Sequence, residues 1–252
     1  MLRYALVSCG IILCDLSRVY ASEHDRTMTQ TPKELIDPPD RAQHPAPLDL
    51  LTDVLAMVRL VGAIFLRAEF TAPWAYESPP SADLTSILHP QAKRLILFHI
   101  IAEGHCWIQL SSGDRVDVSE GEVVVLPYGE QHSVGSLEPS PPVPVASLLP
   151  VPPWTQFPAI RYGGGGERTT VVCGYLHCED PIFDPVVRAL PPLFSVRPPA
   201  GPAAAWVTAS IQYALDASEG RRPSTSGFAV RLPELLFSEI LRLYVESGPP
   251  LR

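Results

Sequence analysis

The strongest constraint on the fold is a series of short strand-forming runs between residues 61 and 132, each followed by turn residues. VGAIFLRAEF (61–70) predicts a strand that ends before Pro73, and RLILFHIIAEGHCWIQL (94–110) predicts two strands broken at Gly104. Short strands separated by turns, with no helix expected between them, predict a β-sandwich or β-barrel. The 29 prolines fall mostly between these runs, which favours a β-rich scaffold with long loops.

The stretch GEVVVLPYGEQH (121–132) joins a strand to a sharp corner. Its three valines favour a strand, because branched side chains suit a pleated, packed surface. Gly121 and Pro127 delimit that strand, Gly129 permits a tight bend, and His132 begins the return. Two structures fit this pattern: an imidazole at the mouth of a barrel, or an ordinary hairpin with a surface histidine.

Helices are expected on both sides of the strand region. Apolar residues at helical spacing predict a short helix over 48–58, and longer helices over 203–218 and 228–246. TTVVCGYLHC (169–178) predicts another strand, and the proline-containing segments that follow it predict loops.

The last helix is expected to carry one apolar stripe, opposite a polar face that includes Glu234 and Arg242. The stripe consists of Leu232, Leu235, Leu236, Ile240 and Leu243. Such a stripe packs on the core or forms a dimer seam. Pro233 lies within this helix and is expected to break or kink it unless it lies in the first turn, because proline removes a backbone donor.

Residues 138–168 contain eight prolines and four consecutive glycines. A loop of this length is either functional or mobile. We expect a mobile surface loop, with the alternative of a lid in which Trp154 or Phe157 closes on a ligand. The four glycines are not a phosphate-binding loop, because they lack the strand, lysine and helix of that motif.

The first 47 residues predict a leader or a mis-assigned N-terminal extension rather than part of the fold. Residues 4–14 are largely apolar after Arg3, but this run is too short for a membrane-spanning helix. The polar, proline-rich composition of 22–47 is typical of disorder. We expect the working protein to begin near Met28 and to be cytoplasmic; export with cleavage after Ala21 is the alternative.

The charge and the cysteines exclude some classes of partner and site. A formal charge of −8 and the absence of a Lys/Arg-rich run argue against direct nucleic-acid binding. Five irregularly spaced cysteines are a poor disulfide framework. We expect structural thiols; a zinc site combining His99 or His132 with Cys106, Cys173 or Cys178 is the alternative.

Gly121-x5-Pro127-x-Gly129-x2-His132 resembles the second conserved motif of the cupin superfamily, with Ser136 in place of its terminal asparagine. The resemblance implies an antiparallel β-barrel of jelly-roll type with His132 pointing inward. In cupins, a first motif upstream of this one supplies further metal ligands. The corresponding positions in this sequence fall near Gln91, Lys93 and Leu97. A catalytic metal needs about three protein ligands, so neither a metal nor another cofactor is expected.

A wider set of segments resembles the cupin-type sensor domain of AraC/XylS-family transcription regulators over about 48–245. The segments are DLLTDVLAMVRL, RAEFTAPWAY, RLILFHIIAEGHCWIQL, GEVVVLPYGEQH, VCGYLHCEDPIFDPVVRALPPLF and LLFSEILRLY. The resemblance implies a mainly β, cupin-like effector-binding barrel over 48–198, followed by a helical pair over 199–252 that forms a homodimer. The helix-turn-helix region of that family is not present in these 252 residues.

Four side chains are candidate ligand contacts: His99, His132, Trp74 and Trp107. His99 shares strand parity with Leu97 and should therefore face the barrel interior with His132. The alternative is that the histidines are satisfied core residues and the tryptophans are core aromatics.

The expected function is that of a non-catalytic sensor of a small-molecule effector, which does not bind nucleic acid or membrane. A metal-dependent cupin enzyme and an exported small-molecule-binding cupin are the alternatives.

Overall fold

The computed structural model describes residues 51, 53–55, 57–150, 158–218 and 227–248. Residues 51, 53–55 and 57 are helical, which agrees with the helix predicted over 48–58. The predictions for the leader over 1–47, and those for Trp154 and Phe157, lie outside the described residues.

The described part of the chain is mainly β-structure, as predicted. Its strands are β1 Val61–Thr71, β2 Ala75–Ser78, β3 Ile96–Glu103, β4 His105–Leu110, β5 Arg115–Ser119, β6 Val123–Leu126, β7 His132–Gly135, β8 Val143–Pro144, β9 Ala159–Gly163, β10 Arg168–His177 and β11 Phe194–Val196. Its helices with printed bounds are α1 Ser81–Leu88, α2 Asp184–Ala189, α3 Pro202–Ser218 and α4 Gly227–Glu246, with 3-10 turns at Val145–Ser147 and Pro181–Phe183.

The strands form two sheets in a jelly-roll arrangement. The six-stranded sheet has the order β11-β6-β3-β10-β1-β9, and the five-stranded sheet has the order β5-β4-β7-β2-β8. Most neighbours are antiparallel, but β9 pairs with β1, and β8 with β2, in parallel. No ladder among the described strands joins the two sheets into a closed cylinder.

Three regions differ from the sequence-based expectation. The helix α1 lies between strands where no helix was expected. Residues 138–168 are not one loop, because β8 and β9 both add to sheet edges. The segment expected to be loops after β10 contains α2 and β11. These short elements depend on partners distant in sequence, and local pattern does not reveal such pairing.

Strand alternation divides the core into two layers, on either side of the six-stranded sheet. Even-numbered residues of β3, such as Phe98 and Ile100, pack with α4 on the outer face. Odd-numbered residues, such as Leu97 and Ile101, pack in the interior between the sheets. In β1 a register irregularity between Ile64 and Leu66 exchanges the two faces.

The helix α4 buries most of its predicted apolar stripe but exposes Leu235, which is 46% accessible. Packing of the stripe on the core is therefore confirmed for its other four residues and wrong for Leu235, whereas the dimer seam remains a prediction. The expected break at Pro233 was also wrong, because α4 continues through that residue.

Two glycines are required because neighbouring atoms leave no room for a Cβ. Gly129, at the corner between β6 and β7, has φ +58°, and a Cβ there would lie 2.1 Å from Ser81 Oγ. Gly163 begins the glycine run with φ +137°, and a Cβ there would lie 1.9 Å from the Thr71 carbonyl oxygen. The four glycines thus fold tightly against the end of β1.

Candidate functional site

The structure brings His99 and His132 together in the interior between the two sheets. Their Nε2 atoms are 3.0 Å apart, and the residues are only 5% and 1% exposed. His99 comes from the inner face of β3, as the parity argument predicted, and His132 begins β7 after the corner at Gly129. The alternative of a surface histidine at position 132 was therefore wrong.

A chain of hydrogen bonds extends from this pair in both directions. His132 Nδ1 lies 2.9 Å from the carbonyl oxygen of Glu130. His99 Nδ1 lies 3.1 Å from Cys173 Sγ, and that thiol is also hydrogen-bonded to Tyr76. Cys173 and His99 are register partners on neighbouring strands, which places both side chains on the same face.

The Glu130 carbonyl fixes the direction of the chain, because a carbonyl oxygen can only accept. His132 Nδ1 must donate to it, so the neutral ring accepts at Nε2 from His99 Nε2–H. His99 Nδ1 then accepts from the Cys173 thiol, and Cys173 accepts from the Tyr76 hydroxyl. All four side chains are satisfied in their neutral forms, which limits the cost of burying them.

Burial keeps each member of the chain neutral. Desolvation lowers the pKa of His99 well below its ordinary value, and the neighbouring His132 lowers it further. Desolvation also lowers the pKa of His132. It raises the pKa of Cys173 to about 12 and the pKa of Tyr76 well above 10. The hydrogen-bonded chain is therefore uncharged at neutral pH.

Trp74 lies in the same interior layer, fully buried and stacked on Phe70 with ring centres 4.1 Å apart. Its indole Nε1 has no hydrogen-bond partner among the described residues. A buried N–H without a partner is uncommon and marks a place that an acceptor would stabilise.

Trp107 does not join the histidines. On β4 it alternates with the buried Cys106 and Ile108, so its ring lies on the opposite, outer face. There Arg115 covers the ring at 4.9 Å, and Trp107 Nε1 donates to the Ser136 carbonyl at 2.7 Å.

The cluster does not fit a metal ion. Cys173 and His132 contact opposite edges of the His99 ring, so the three side chains do not converge on one point. Across the described residues, no group of three or more His, Cys, Asp or Glu side chains could hold a metal. At the places of the first cupin motif, Gln91 and Lys93 lie at the protein surface.

Sequence reasoning missed two members of the chain as hydrogen-bonding partners. Tyr76 belongs to β2, a four-residue strand that no local pattern marked. Cys173 was considered only as a structural or zinc-binding thiol. The alternation of β10 placed Cys173 on one face, but pairing with His99 requires the register between β10 and β3.

A family model described as Cupin matches residues 49–246. The chain belongs to the cupin family. No curated protein gives a significant match to this cupin. Among the described residues, no helix has the length and apolarity needed to span a bilayer.

Solved structures show only distant likeness to this cupin. ToxT from Vibrio cholerae has 9% identity and a TM-score of 0.36, covering 78% of this chain and 57% of that chain. YhaK from Escherichia coli has 14% identity and a TM-score of 0.31, covering 54% and 41%. Vicilin from Corylus avellana has 11% identity and a TM-score of 0.21, covering 65% and 32%. The cupin thus spans about half the length of the first two, and scores this low carry no argument about function.

Proposed function

We propose that this cupin is the effector-binding and dimerisation domain of an AraC-type transcription regulator, cytoplasmic and without catalytic activity. The observation that carries the proposal is that β3 and β10 contact two different parts of the protein with their two faces. Their inner faces hold the histidine–cysteine chain, and their outer faces pack against the C-terminal helices.

The two faces are linked by close packing. Phe98 on the outer face of β3 fills the space beside Gly174, where a Cβ would lie 2.0 Å from the phenyl ring. Phe98 and Ile100 pack with Leu236 and Ile240 of α4. Because packed cores transmit small displacements rather than absorb them, a shift of β3 or β10 would reach α4. Such an arrangement supports the proposed sensor role.

An apolar groove beside α4 supports pairing of two copies through the C-terminal helices. The groove has a volume of about 770 Å³. Its lining includes Leu51, Trp206 and the exposed Leu235, and Arg242 lies at its edge in ion pairs with Glu239 and Glu246. An exposed apolar patch with a polar rim is typical of a protein interface.

The proposal is tested by fusing the full chain to the DNA-binding domain of an AraC-type regulator. If the cupin dimerises, the fusion should occupy DNA with two half-sites at a concentration at least about tenfold lower than the isolated DNA-binding domain. Equal concentrations would contradict the proposal.

A matched pair of variants controls for the added charge. Leu235→Asp should abolish the fusion's advantage in DNA occupancy, because a carboxylate would enter the proposed dimer interface. Ile87→Asp alters a similarly exposed side chain (50%) on α1, and the fusion that carries it should keep the advantage in DNA occupancy. A gain that survives Leu235→Asp would remove α4 from the proposed interface.

A further inference from the structure

A second concave site lies at the end of the same two strands, at the surface rather than in the interior. It has a volume of about 630 Å³. Its lining comes from the segment before β3 and the first residue of that strand, from the end of β10 and the residues after it, and from α2 with the turn that precedes it.

Three cationic side chains surround this pocket. Lys93, Arg94 and Arg188 are exposed, and none forms an ion pair with another described residue. Tyr128 contacts the side chain of Arg94 and the backbone of Arg188. The Arg94 guanidinium lies 5.7 Å from the Tyr128 ring centre, and the Tyr128 hydroxyl lies 3.3 Å from the Arg188 carbonyl oxygen. Like charges gathered around one opening favour an anion.

The base of the pocket is apolar and connects to the C-terminal helices. Ile96, Leu176, Phe183 and Val187 lie beneath it, each 6% exposed or less, and all four belong to the outer core layer. The Phe183 ring meets Phe237 of α4 edge to face, with ring centres 6.5 Å apart. A molecule resting on Phe183 is therefore one side chain away from α4.

The remaining polar groups leave the pocket with a cationic excess. Glu179 and Asp184 contribute two carboxylates against three cations. Glu179 is directed to His177, with 3.4 Å between its Oε1 and His177 Nε2. Cys178 is half-buried, and burial raises the pKa of its thiol, so it adds no negative charge at neutral pH.

We propose that this pocket binds a small organic carboxylate with an apolar body, and that such an acid is the effector. The carboxylate lies among Lys93, Arg94 and Arg188, and the apolar body rests on Phe183 and Val187. The assignment of this ligand as the effector rests on the proposed sensor function; the binding site itself does not.

The test is isothermal titration calorimetry of the full chain with biphenyl-4-carboxylate as the probe. Two further titrations use biphenyl-4-methanol, which lacks the charge, and inorganic phosphate, which lacks the apolar body. The carboxylate should bind at least about tenfold more tightly than either. Raising the salt concentration from 50 to about 500 mM should weaken its binding several-fold.

A pair of double variants locates the site. R94Q/R188Q should weaken carboxylate binding about tenfold, since exposed ion pairs contribute modestly and two are removed. R161Q/R197Q removes the same charge elsewhere on the surface and should leave the affinity within about twofold. Thermal unfolding of each variant verifies that it is folded.

Three results would overturn the site: equal affinity for the alcohol, equal affinity for phosphate, or equal losses in both double variants. These results are separate from the DNA-binding comparison above, because calorimetry requires no dimer and no DNA-binding domain. Binding of the carboxylate together with failure of the fusion would leave a ligand-binding cupin that is not a regulator.

Discussion

His132 Nδ1 faces the carbonyl oxygen of Glu130, and that contact orders the hydrogens of three residues beyond it. The His99 Nε2–H therefore depends on His132 for its acceptor. Parity along β3 predicted that His99 faces inward, and the cupin-like corner predicted the same for His132. That the two rings bond to each other could not be predicted, because the partners come from different sheets.

Replacing His132 by Phe should leave the His99 Nε2–H buried without an acceptor. The expected cost is about 1–3 kcal/mol in the free energy of unfolding, measured by urea titration. His105→Phe is the control, because His105 is about one-third exposed and should change stability by less than about 0.5 kcal/mol. Equal effects of the two substitutions would contradict the buried chain.

Stability should depend on pH through the same two rings. Both native pKa values are lowered by desolvation, whereas the unfolded chain protonates near 6.5. Below that pH the unfolded state binds more protons, so the free energy of unfolding decreases as the pH falls. The slope is at most about 2.7 kcal/mol per pH unit for two groups.

Urea titrations between pH 5 and 7 measure this slope. In His99→Phe/His132→Phe the slope should be smaller than in the native protein, because Tyr76, Cys106 and Cys173 around the rings remain neutral across this range. An unchanged slope would show that other groups cause the pH dependence.

At the scale of the elements, the corner after β6 requires a glycine. Gly129 has positive φ, donates its N–H to the Leu126 carbonyl at 3.0 Å, and lies against Ser81 at the start of α1. This corner directs His132 into the interior, so the motif that identified it in the sequence also positions the site.

Gly129→Ala should reduce the free energy of unfolding by about 2 kcal/mol or more, because both the left-handed conformation and the contact with Ser81 oppose a Cβ. Gly121→Ala is a matched control. Gly121 also has positive φ (+84°), but nothing lies within 4 Å of its Cβ position, so only about 1–2 kcal/mol should be lost. Similar losses, measured by urea titration, would show that the contacts with Ser81 and with the Leu95 carbonyl oxygen have no effect.

The elements that sequence reasoning predicted are those with a strong local pattern. β1, β3, β4, β6 and β10 have branched or apolar runs delimited by glycine or proline, and α3 and α4 have helical periodicity. β8 and β9 lack such a run and are specified by the edges that they join. The surface pocket was missed for a similar reason, because its three cations come from two separate segments.

At the scale of the whole fold, the described parts of α3 and α4 lie on one face of the six-stranded sheet and the polar chain lies on the other. Phe98 and Ile108 represent the two layers, because Phe98 contacts α4 whereas Ile108 of β4 is fully buried in the interior. The layers should therefore respond differently to truncation.

Phe98→Ala should cost about 3–5 kcal/mol and increase amide hydrogen exchange in α4 more than in β4. Ile108→Ala should cost about 2–5 kcal/mol and increase exchange in β4 more than in α4. Hydrogen exchange with mass spectrometry measures both variants. If both variants increased exchange more in the same one of these two elements, the two layers would open as one unit.

The register irregularity between Ile64 and Leu66 of β1 also determines which mutations this strand can tolerate. Before it, Ala63 faces the interior and Ile64 the helices; after it, Leu66, Ala68 and Phe70 face the interior. The two halves of the strand therefore follow separate alternations, which is why VGAIFLRAEF shows no single period. Deleting one residue at this point would restore a uniform strand but place one half on the wrong face. β1 should tolerate substitutions within either half more readily than any change in its length.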